Sequence, residues 1–405
     1  MDNLGDLDVL GVLSFGLALI SIVCIIYGLY FFLVLHNRKA ISNFQNTLFT
    51  CQRSNSALES VSVIVSAYNE EKVIARKLKN IADLNYPKEK IEVLVIDDAS
   101  TDETGNIARK TIQELGLFGK VITHSDRLGL NKSLNLAMDQ AANNFVCISD
   151  SDVLLESNAL KNAVIILKEF KDSGGVTGKV QPVFEGKGFT QENEISYREF
   201  YDKSMLGESS LHSAFPGNGP LIVFDKSKVP FSIPVEYGST DGNIAINIIK
   251  SGLRFIYVPN ALIFEPEAEN VEQQRIQKVR RAKRLIQVFH HNMDVFFNKK
   301  YGNFGQIVFP LKFMMLSVCP VLIFTGMFLI ITSVLLFQNL LLYSFSALAI
   351  CAVVGVLVLS NKLKNMVTSF VLHQIYLFAG LILSMQKSIY WKTIERKKPN
   401  HYQQE

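Results

Sequence analysis

The chain has 405 residues, of which 48% are hydrophobic and 19% are charged, with a net charge of +4. A soluble globular protein usually carries about 25% charged residues, so apolar residues are in excess. The high hydrophobicity excludes a disordered chain, and five cysteines are too few for a disulfide scaffold. The small net charge gives no indication of nucleic-acid binding. The apolar residues are unevenly distributed, and that distribution defines the organisation of the chain.

An uncharged apolar segment near the amino terminus, residues 9–35, is long enough to cross a hydrocarbon core of about 30 Å. Acidic residues precede it, whereas Arg38, Lys39 and Arg53 follow it. A cleaved signal peptide would begin with basic residues and have a shorter apolar core, so the pattern favours a membrane anchor. Because Lys and Arg concentrate on the cytoplasmic side of a membrane, we expect residue 36 onward to be cytoplasmic.

Further apolar segments of spanning length lie near the carboxyl terminus, at residues 313–337, 340–359 and 366–385. Before them, residues 302–312 are expected to form a helix lying in the membrane interface. Three spans after a cytoplasmic domain would place the tail outside, yet the tail is basic. Either the last segment, which carries His373 and Gln374, does not cross completely, or the tail departs from the rule. We favour a cytoplasmic tail.

These features divide the chain into three parts. Residues 1–59 are an anchor and linker, residues 60–300 a cytoplasmic domain, and residues 301–405 an interfacial helix, transmembrane helices and a basic tail. In the central part, short apolar and β-branched runs predict strands at residues 61–66, 91–96, 120–124 and 145–149. Helical patterns at residues 70–84, 103–115 and 131–142 alternate with them. This alternation predicts an α/β fold with a doubly wound, mainly parallel sheet.

Polar residues follow each of the four predicted strands, where open α/β sheets bind their ligands. They are Tyr68, Asn69 and Glu70, then Asp97 and Asp98, then Arg127, then Asp150, Ser151 and Asp152. There is no G-x-G-x-x-G sequence after the first strand and no G-x-x-x-x-G-K-[ST] sequence in the chain. The sequence therefore disfavours a dinucleotide-binding or P-loop protein.

Asp150 and Asp152 are the strongest candidates for a metal site. One residue separates them directly after an apolar strand, so in extended chain both carboxylates point the same way. Two hard oxygen ligands suit Mg²⁺ or Mn²⁺, which bind through one or two carboxylates together with substrate phosphates. A solvated turn rich in Asp and Ser is the alternative interpretation. The polar groups at the other strand ends favour the metal site.

Three motifs together resemble the family 2 glycosyltransferases: Val63-Ile-Val-Ser-Ala-Tyr-Asn-Glu-Glu71, Val95-Ile-Asp-Asp-Ala-Ser-Thr-Asp102 and Asp150-Ser-Asp152. With its flanking apolar segments, the chain is more similar to the membrane-embedded branch, which includes cellulose, chitin and hyaluronan synthases. The resemblance implies a GT-A fold in the cytoplasm, flanked by one amino-terminal and about three carboxyl-terminal transmembrane helices. It also implies an integral protein of the cell membrane.

The resemblance assigns six residues to the nucleotide sugar: Tyr68, Glu70, Asp97, Asp98, Arg127 and Lys132. The tyrosine, the glutamate and one of the two adjacent aspartates would hold the base and ribose, and the choice between those aspartates stays open. The two basic residues would lie near the sugar nucleotide. Asp150 and Asp152 would carry the metal and the diphosphate.

The sequence Ser239-Thr240-Asp241 lies where the synthases have Thr-Glu-Asp. The resemblance implies that Asp241 is the general base, which takes the proton of the acceptor hydroxyl in a direct, inverting displacement. The alternative is an ordinary helix cap. A helix dipole stabilises a carboxylate at this position, so we expect Asp241 to stay ionised and to be a weak base.

Gln277, Arg280 and Arg281 occupy the place of the synthase motif Gln-x-x-Arg-Trp. The resemblance implies that Gln277 and Arg280 contact the leaving diphosphate, the arginine through charge-assisted hydrogen bonds. Arg281 replaces the Trp that packs against the end of the growing polymer in the synthases, which argues against processive synthesis. A basic helix face on the membrane surface is the alternative interpretation of this stretch.

The function expected from these residues is inverting transfer of a sugar from a nucleotide diphosphate sugar, first of all a UDP-hexose or UDP-N-acetylhexosamine. The enzyme would be a metal-dependent hexosyltransferase using Mg²⁺ or Mn²⁺, and its acceptor a polysaccharide or glycan at the membrane. Single-step transfer to a lipid or lipid-linked oligosaccharide is the alternative. A non-catalytic membrane protein that binds nucleotide sugars is a more remote one. The oligomeric state is not defined by the sequence.

Overall fold

The computed structural model describes residues 2–54, 56–184, 189–229, 232–266, 271–336 and 361–385. The predicted span at residues 340–359 and the basic tail lie outside these residues.

One mixed sheet forms the centre of the folded domain. Its strands are β1 Val61–Ala67, β2 Ile91–Asp97, β3 Gly119–Thr123, β4 Phe145–Asp150, β5 Leu154–Leu155, β6 Ser173–Val183, β7 Ile222–Asp225 and β8 Arg254–Pro266. They are ordered β3-β2-β1-β4-β7-β6-β8-β5. The β3-β2-β1-β4 half is parallel, whereas β7 is antiparallel to both β4 and β6. Strands β1 to β4 match the four predicted strands to within one residue at each end.

Helices cover both faces of the sheet, as predicted. In chain order, the helices of the chain up to residue 291 are α1 Asp2–Tyr30, α2 Arg38–Gln52, α3 Ile74–Ala82, α4 Thr104–Leu115, α5 Leu130–Gln140, α6 Ala159–Glu169, α7 Phe189–Leu211, α8 Thr240–Lys250 and α9 Val271–His291. Helix α1 packs with the later apolar helices instead of the sheet. Side chains alternate along β1, so that Val63 and Val65 pack with α3, α4 and α6. Ile64 packs on the opposite face with α5, α8 and α9. The doubly wound α/β prediction is therefore confirmed.

Helix α3 begins later than expected. The pattern predicts a helix from residue 70, but residues 70–73 form a turn and the helix starts at Ile74. The Glu70 backbone N–H donates to Thr104 Oγ1 over 2.8 Å, so the turn is tied to the start of α4. This tie keeps the loop after β1 next to the loop after β2.

Three helices are long and apolar enough to cross a membrane. They are Asp8–Leu35, Phe304–Leu336 and Leu363–Ser384; we call the second α10, and the third lies within α11 Asn361–Ser384. A Cβ atom on Gly16 would lie 3.0 Å from the carbonyl oxygen of Gly326, so α1 and α10 approach closely. Residues 302–312, expected as a separate interfacial helix, instead run largely into α10.

Candidate active site

The carboxyl ends of β1, β2 and β4 open into a cavity of about 2370 Å³. Its wall also includes side chains from α7, α9 and the three apolar helices α1, α10 and α11. The residues predicted from the sequence that line it are Tyr68, Glu70, Asp98, Arg127, Asp150, Asp152, Asp241, Gln277, Arg280 and Arg281. The cavity thus joins the polar strand ends to the apolar helices.

The loops after β1 and β2 form one end of the cavity. The Arg127 guanidinium lies 3.8 Å from the centre of the Tyr68 ring, a cation–π contact. Asn69 has a left-handed backbone, with φ of 56°, which Asn tolerates better than most residues. Its Oδ1 accepts a hydrogen bond from the Thr101 N–H at 2.8 Å. The Tyr68 ring therefore stands on a loop that is bonded to the loop after β2, and Arg127 reaches the ring from the loop after β3.

The adjacent aspartates Asp97 and Asp98 differ in their surroundings. Asp97 lies outside the cavity wall, is 3% exposed, and accepts from the Ser100 N–H at 3.0 Å. Asp98 lines the cavity and accepts from the backbone N–H groups of Leu128 at 2.8 Å and Gly129 at 2.9 Å. Asp98 therefore shapes the loop that leads into α5. Lys132, on α5, is exposed and does not line this cavity. The adjacent residues Asn131 and Ser133 lie on the buried side of the helix.

The acidic pair Asp150 and Asp152 lies at the end of β4, with both side chains half-buried and on the cavity wall. Two carboxylates fit Mg²⁺ or Mn²⁺ only if phosphate oxygens supply further ligands. This is consistent with the described part of the chain, where no group of three or more His, Cys, Asp or Glu residues could hold a metal ion. The residues present fit a metal shared with a bound diphosphate.

Lys77 contacts the residues that flank this pair. It was not predicted from the sequence as a site residue. It is fully buried, and its Nζ donates to Ser149 Oγ at 2.7 Å and to the Val153 carbonyl at 3.1 Å. Burial lowers its pKa to about 8, although the neighbouring acids raise it. One signal was available in the sequence, because Lys77 interrupts the apolar face of α3, where charged residues are rare.

Asp241 lies in the first turn of α8, which Ser239 caps by accepting from the Gly242 N–H at 3.2 Å. Its own Oδ1 accepts from the same N–H at 2.9 Å. Burial raises the pKa of Asp241, and the bonds from Ser239 and Gly242 and the charge of Arg281 reduce this rise without cancelling it. The expected weak base is therefore wrong in direction: desolvation outweighs the helix terminus and makes the carboxylate more basic.

Arg281 takes part in a network of charged side chains with Glu194, Arg198, Glu265 and Lys278. Glu265 accepts from Arg281 at 2.6 Å and from Arg198 at 2.9 Å. Glu194 accepts from Arg198 at 3.0 Å and from Lys278 at 2.6 Å. Against the effect of burial, Arg281 and Arg198 lower the pKa of Glu265 to about 2. The Arg281 side chain is thus bound to a carboxylate. This network of charges could not be predicted from the sequence, because Glu265 and Arg198 are far apart along the chain.

Comparison with solved structures identifies the class of fold. The mannosyltransferase PcManGT from Pyrobaculum calidifontis, crystallised with GDP-Man and Mn²⁺, superposes with a TM-score of 0.69. The match covers 92% of this chain and 99% of that chain at 22% identity. At this identity the likeness concerns the fold, and the protein has a GT-A fold flanked by apolar helices.

Comparison of sequences relates one segment of the chain to a known family. Residues 62–223 match the family model described as Glycosyl transferase family 2, and the chain contains a domain of that family. The probable glycosyltransferase YdaM of Bacillus subtilis is 28% identical over 170 residues, 42% of this chain and 40% of YdaM. The beta-monoglucosyldiacylglycerol synthase of Nostoc is 32% identical over 157 residues, 38% of this chain and 31% of that protein. The matches thus span less than half of either relative.

Proposed function

We propose that the protein is a membrane-anchored, inverting glycosyltransferase that transfers a hexose or N-acetylhexosamine from a nucleotide diphosphate sugar, with UDP as the first candidate. The acceptor is a hydroxyl group of a glycan or polysaccharide at the membrane. One observation carries the proposal: the acidic pair Asp150 and Asp152 and the half-buried carboxylate of Asp241 line the same cavity. The family 2 domain supports it.

The donor is held at the strand ends. Tyr68 and Arg127 form the aromatic and cationic surface for the base and ribose, and Asp98 fixes the loop beside them. Asp150 and Asp152 hold Mg²⁺ or Mn²⁺, which when bound neutralises charge on the diphosphate. Gln277 and Arg280 of α9 line the same cavity and bind the diphosphate, the arginine through charge-assisted hydrogen bonds.

Transfer is a single displacement at the anomeric carbon. The acceptor oxygen forms its bond to this carbon from the face opposite the diphosphate, while the bond from the carbon to the phosphate oxygen breaks, so the configuration inverts. Asp241 receives the proton of the acceptor hydroxyl, and the nucleotide diphosphate leaves with the electron pair. Burial of Asp241 favours this step, because the raised pKa increases its proton affinity.

A lipid or lipid-linked oligosaccharide is the second candidate acceptor. Helices α1, α10 and α11, each apolar enough to cross a membrane, line the cavity through Tyr27, Met315 and Phe370 among others. In addition, Arg281 is paired with Glu265 where a processive synthase has a Trp. The apolar lining favours an acceptor with a lipid part, and the paired Arg281 favours one sugar transferred per acceptor. The nucleotide-binding domain would face the cytoplasm of the cell, with the apolar helices in the cell membrane.

The test is release of nucleotide diphosphate by the purified full chain in detergent, with a panel of nucleotide sugars, Mn²⁺ and an extract of native membranes. We expect Asp150→Asn and Asp152→Asn to lower turnover by about 100-fold or more, because the metal contributes several kcal/mol to charge stabilisation. Chelation of the metal should have the same effect on the wild-type protein. The matched control is Asp139→Asn, an exposed aspartate on α5, which should act as the wild-type protein does.

Unchanged turnover in both Asp150→Asn and Asp152→Asn would contradict the metal site. If the protein binds a nucleotide sugar but shows no turnover with any acceptor, a non-catalytic nucleotide-sugar-binding protein is the better description. Gel analysis of the products separates the two acceptors. A single added sugar supports the lipid-linked acceptor, whereas a ladder of many sugars supports polymer synthesis.

A further inference from the structure

Helix α3 carries a lysine on its buried side. Lys77 is 0% exposed, as are its neighbours Ile74 and Leu78. An ammonium group taken out of water is costly unless its hydrogen bonds are replaced, and charged residues are rarely fully buried without such partners. A methionine of similar length would fill the same space without that cost. The contacts of the Lys77 ammonium therefore indicate what the residue does.

Those contacts lie on both sides of the acidic pair. Lys77 Nζ donates to Ser149 Oγ at 2.7 Å, one residue before Asp150. It also donates to the carbonyl of Val153 at 3.1 Å, one residue after Asp152. An ammonium has three donors at a single point and no acceptor, so it can hold two strand-end atoms at once. The segment Asp150-Ser151-Asp152 is thereby fixed at both ends by one side chain.

A further hydrogen bond connects Ser149 to the loop beside Asp241. Ser149 Oγ donates in turn to the carbonyl of Pro220 at 2.7 Å. Pro220 belongs to the loop 217–220, and a Cβ atom on Gly219 would lie 3.9 Å from the Cβ of Asp241. The ammonium of Lys77 is therefore two hydrogen bonds away from the loop that borders the proposed base.

Asn80, on the next turn of α3, binds the backbone of Leu155, which follows the acidic pair. Its side chain donates to the Leu155 carbonyl at 2.8 Å and accepts from the Leu155 N–H at 2.8 Å. The residues at 77 and 80 lie on one face of the helix. Helix α3 thus binds the chain from Ser149 to Leu155 as a unit.

We propose that Lys77 is a positioning residue, which holds Ser149 and Val153 so that the carboxylates of Asp150 and Asp152 are set to receive the divalent metal and the diphosphate. This inference rests on the proposed function. Hydrogen bonds from a charged donor are stronger than neutral ones, which explains why a lysine is kept in this apolar setting. The lowered pKa of Lys77, about 8, is the consequence of its burial.

The test measures Mn²⁺ binding directly. The full chain in detergent is saturated with UDP and titrated with Mn²⁺, and free Mn²⁺ is followed by electron paramagnetic resonance. We expect Lys77→Met to weaken Mn²⁺ binding about 10- to 100-fold, as loss of a group that orients metal ligands commonly does. Lys77→Gln keeps a neutral donor and should recover part of the loss. Lys79→Met makes the same change at an exposed position of α3 and should bind Mn²⁺ as the wild-type protein does.

A second set of variants separates positioning from folding. Ser149→Ala should weaken Mn²⁺ binding several-fold. The loss in Lys77→Met combined with Ser149→Ala should be smaller than the two single losses multiplied together, because both changes break the contact between Lys77 and Ser149. In turnover, the Mn²⁺ concentration for half-maximal rate should rise by the same factor as the dissociation constant, with a smaller loss at saturating Mn²⁺.

The outcomes distinguish the two proposals. A wild-type protein that binds no Mn²⁺ with UDP would refute the proposed metal-dependent function. If the wild-type protein binds Mn²⁺ and Lys77→Met binds it equally well, the positioning role is wrong. Should Lys77→Met fail to fold, Ser149→Ala decides: unchanged Mn²⁺ affinity in that variant overturns the inference, and a several-fold loss supports it.

Discussion

Asp241→Asn is expected to lower kcat by about 10²- to 10⁴-fold, the usual contribution of a general base, with little change in the binding of UDP. The substitution keeps the shape of the side chain and its place in the first turn of α8, but an amide cannot take the acceptor proton. Donor-binding residues at the strand ends are not altered by it. Turnover and UDP binding are measured on the same purified protein, and Asp139→Asn serves again as the control.

The pH dependence provides an independent check on Asp241. Burial raises its pKa, and the base acts only when it is ionised. The acid limb of kcat/KM should therefore lie above the pH range of an ordinary aspartate, with activity falling as the pH drops through the raised pKa. A limb at the ordinary aspartate position would contradict the role of burial.

Stability should respond in the opposite sense to activity. Because the pKa of Asp241 is higher in the folded than in the unfolded protein, its ionisation at neutral pH disfavours folding, and this cost disappears as the pH falls through the raised pKa. Asp241→Asn removes the charge. The inactive variant should therefore be at least as stable as the wild-type protein at neutral pH, and lower stability would point to a structural cap instead of a base.

Lys312→Met is expected to lower the free energy of unfolding by about 3–5 kcal/mol, the usual effect of breaking a buried ion pair. Lys312 on α10 lies 2.7 Å from Glu208 on α7, and Glu208 is fully buried. Tyr30 of α1 donates to the same carboxylate, and the Phe215 N–H donates to it at 3.0 Å. The pair therefore joins the folded domain to two apolar helices, and loss of the lysine leaves a buried carboxylate without its charged partner.

The control for this prediction is Lys312→Met combined with Glu208→Gln. The amide oxygen can still accept from the Phe215 N–H, and the amide NH2 can donate to the Tyr30 hydroxyl oxygen. The amide carries no charge, so the double variant should recover much of the lost stability. Unfolding is measured in detergent across a range of pH. Burial already raises the pKa of Glu208, and without Lys312 it rises further, so the deficit should shrink as the pH falls. A double variant no more stable than the single one would contradict this account.

The parallel half of the sheet could be predicted because its signals are local. Each strand from β1 to β4 is a short apolar run followed by polar residues, and the helices between them have their own periodicity. The second half could not be predicted in the same way. Strand β7 inserts between β4 and β6, and such pairing depends on packing between distant segments.

The residues of the candidate site show the same difference between local and long-range signals. Residues in motifs, such as Asp150 and Asp241, were found from their neighbours in sequence. Lys77 was missed although it interrupts the apolar face of α3, because its hydrogen-bond partners are far away in sequence. The pair Glu208–Lys312 was missed because only the fold brings the two residues together. The sequence leaves the choice between Asp97 and Asp98 open. Asp97 is the last residue of β2 and Asp98 follows the strand, and only the fold brings the Leu128 and Gly129 N–H groups to Asp98.

The continuity of the cavity from the acidic pair to α1, α10 and α11 has a consequence for inhibitor chemistry. A water-soluble nucleotide analogue would occupy only the polar end, and the strand-end motifs of this end lie in the segment that matches the family model. An amphiphile with a nucleoside head and an alkyl tail would also contact Phe370 and Met315 at the apolar end. Its affinity would depend on tail length, and its selectivity would come from the helices and not from the shared motifs.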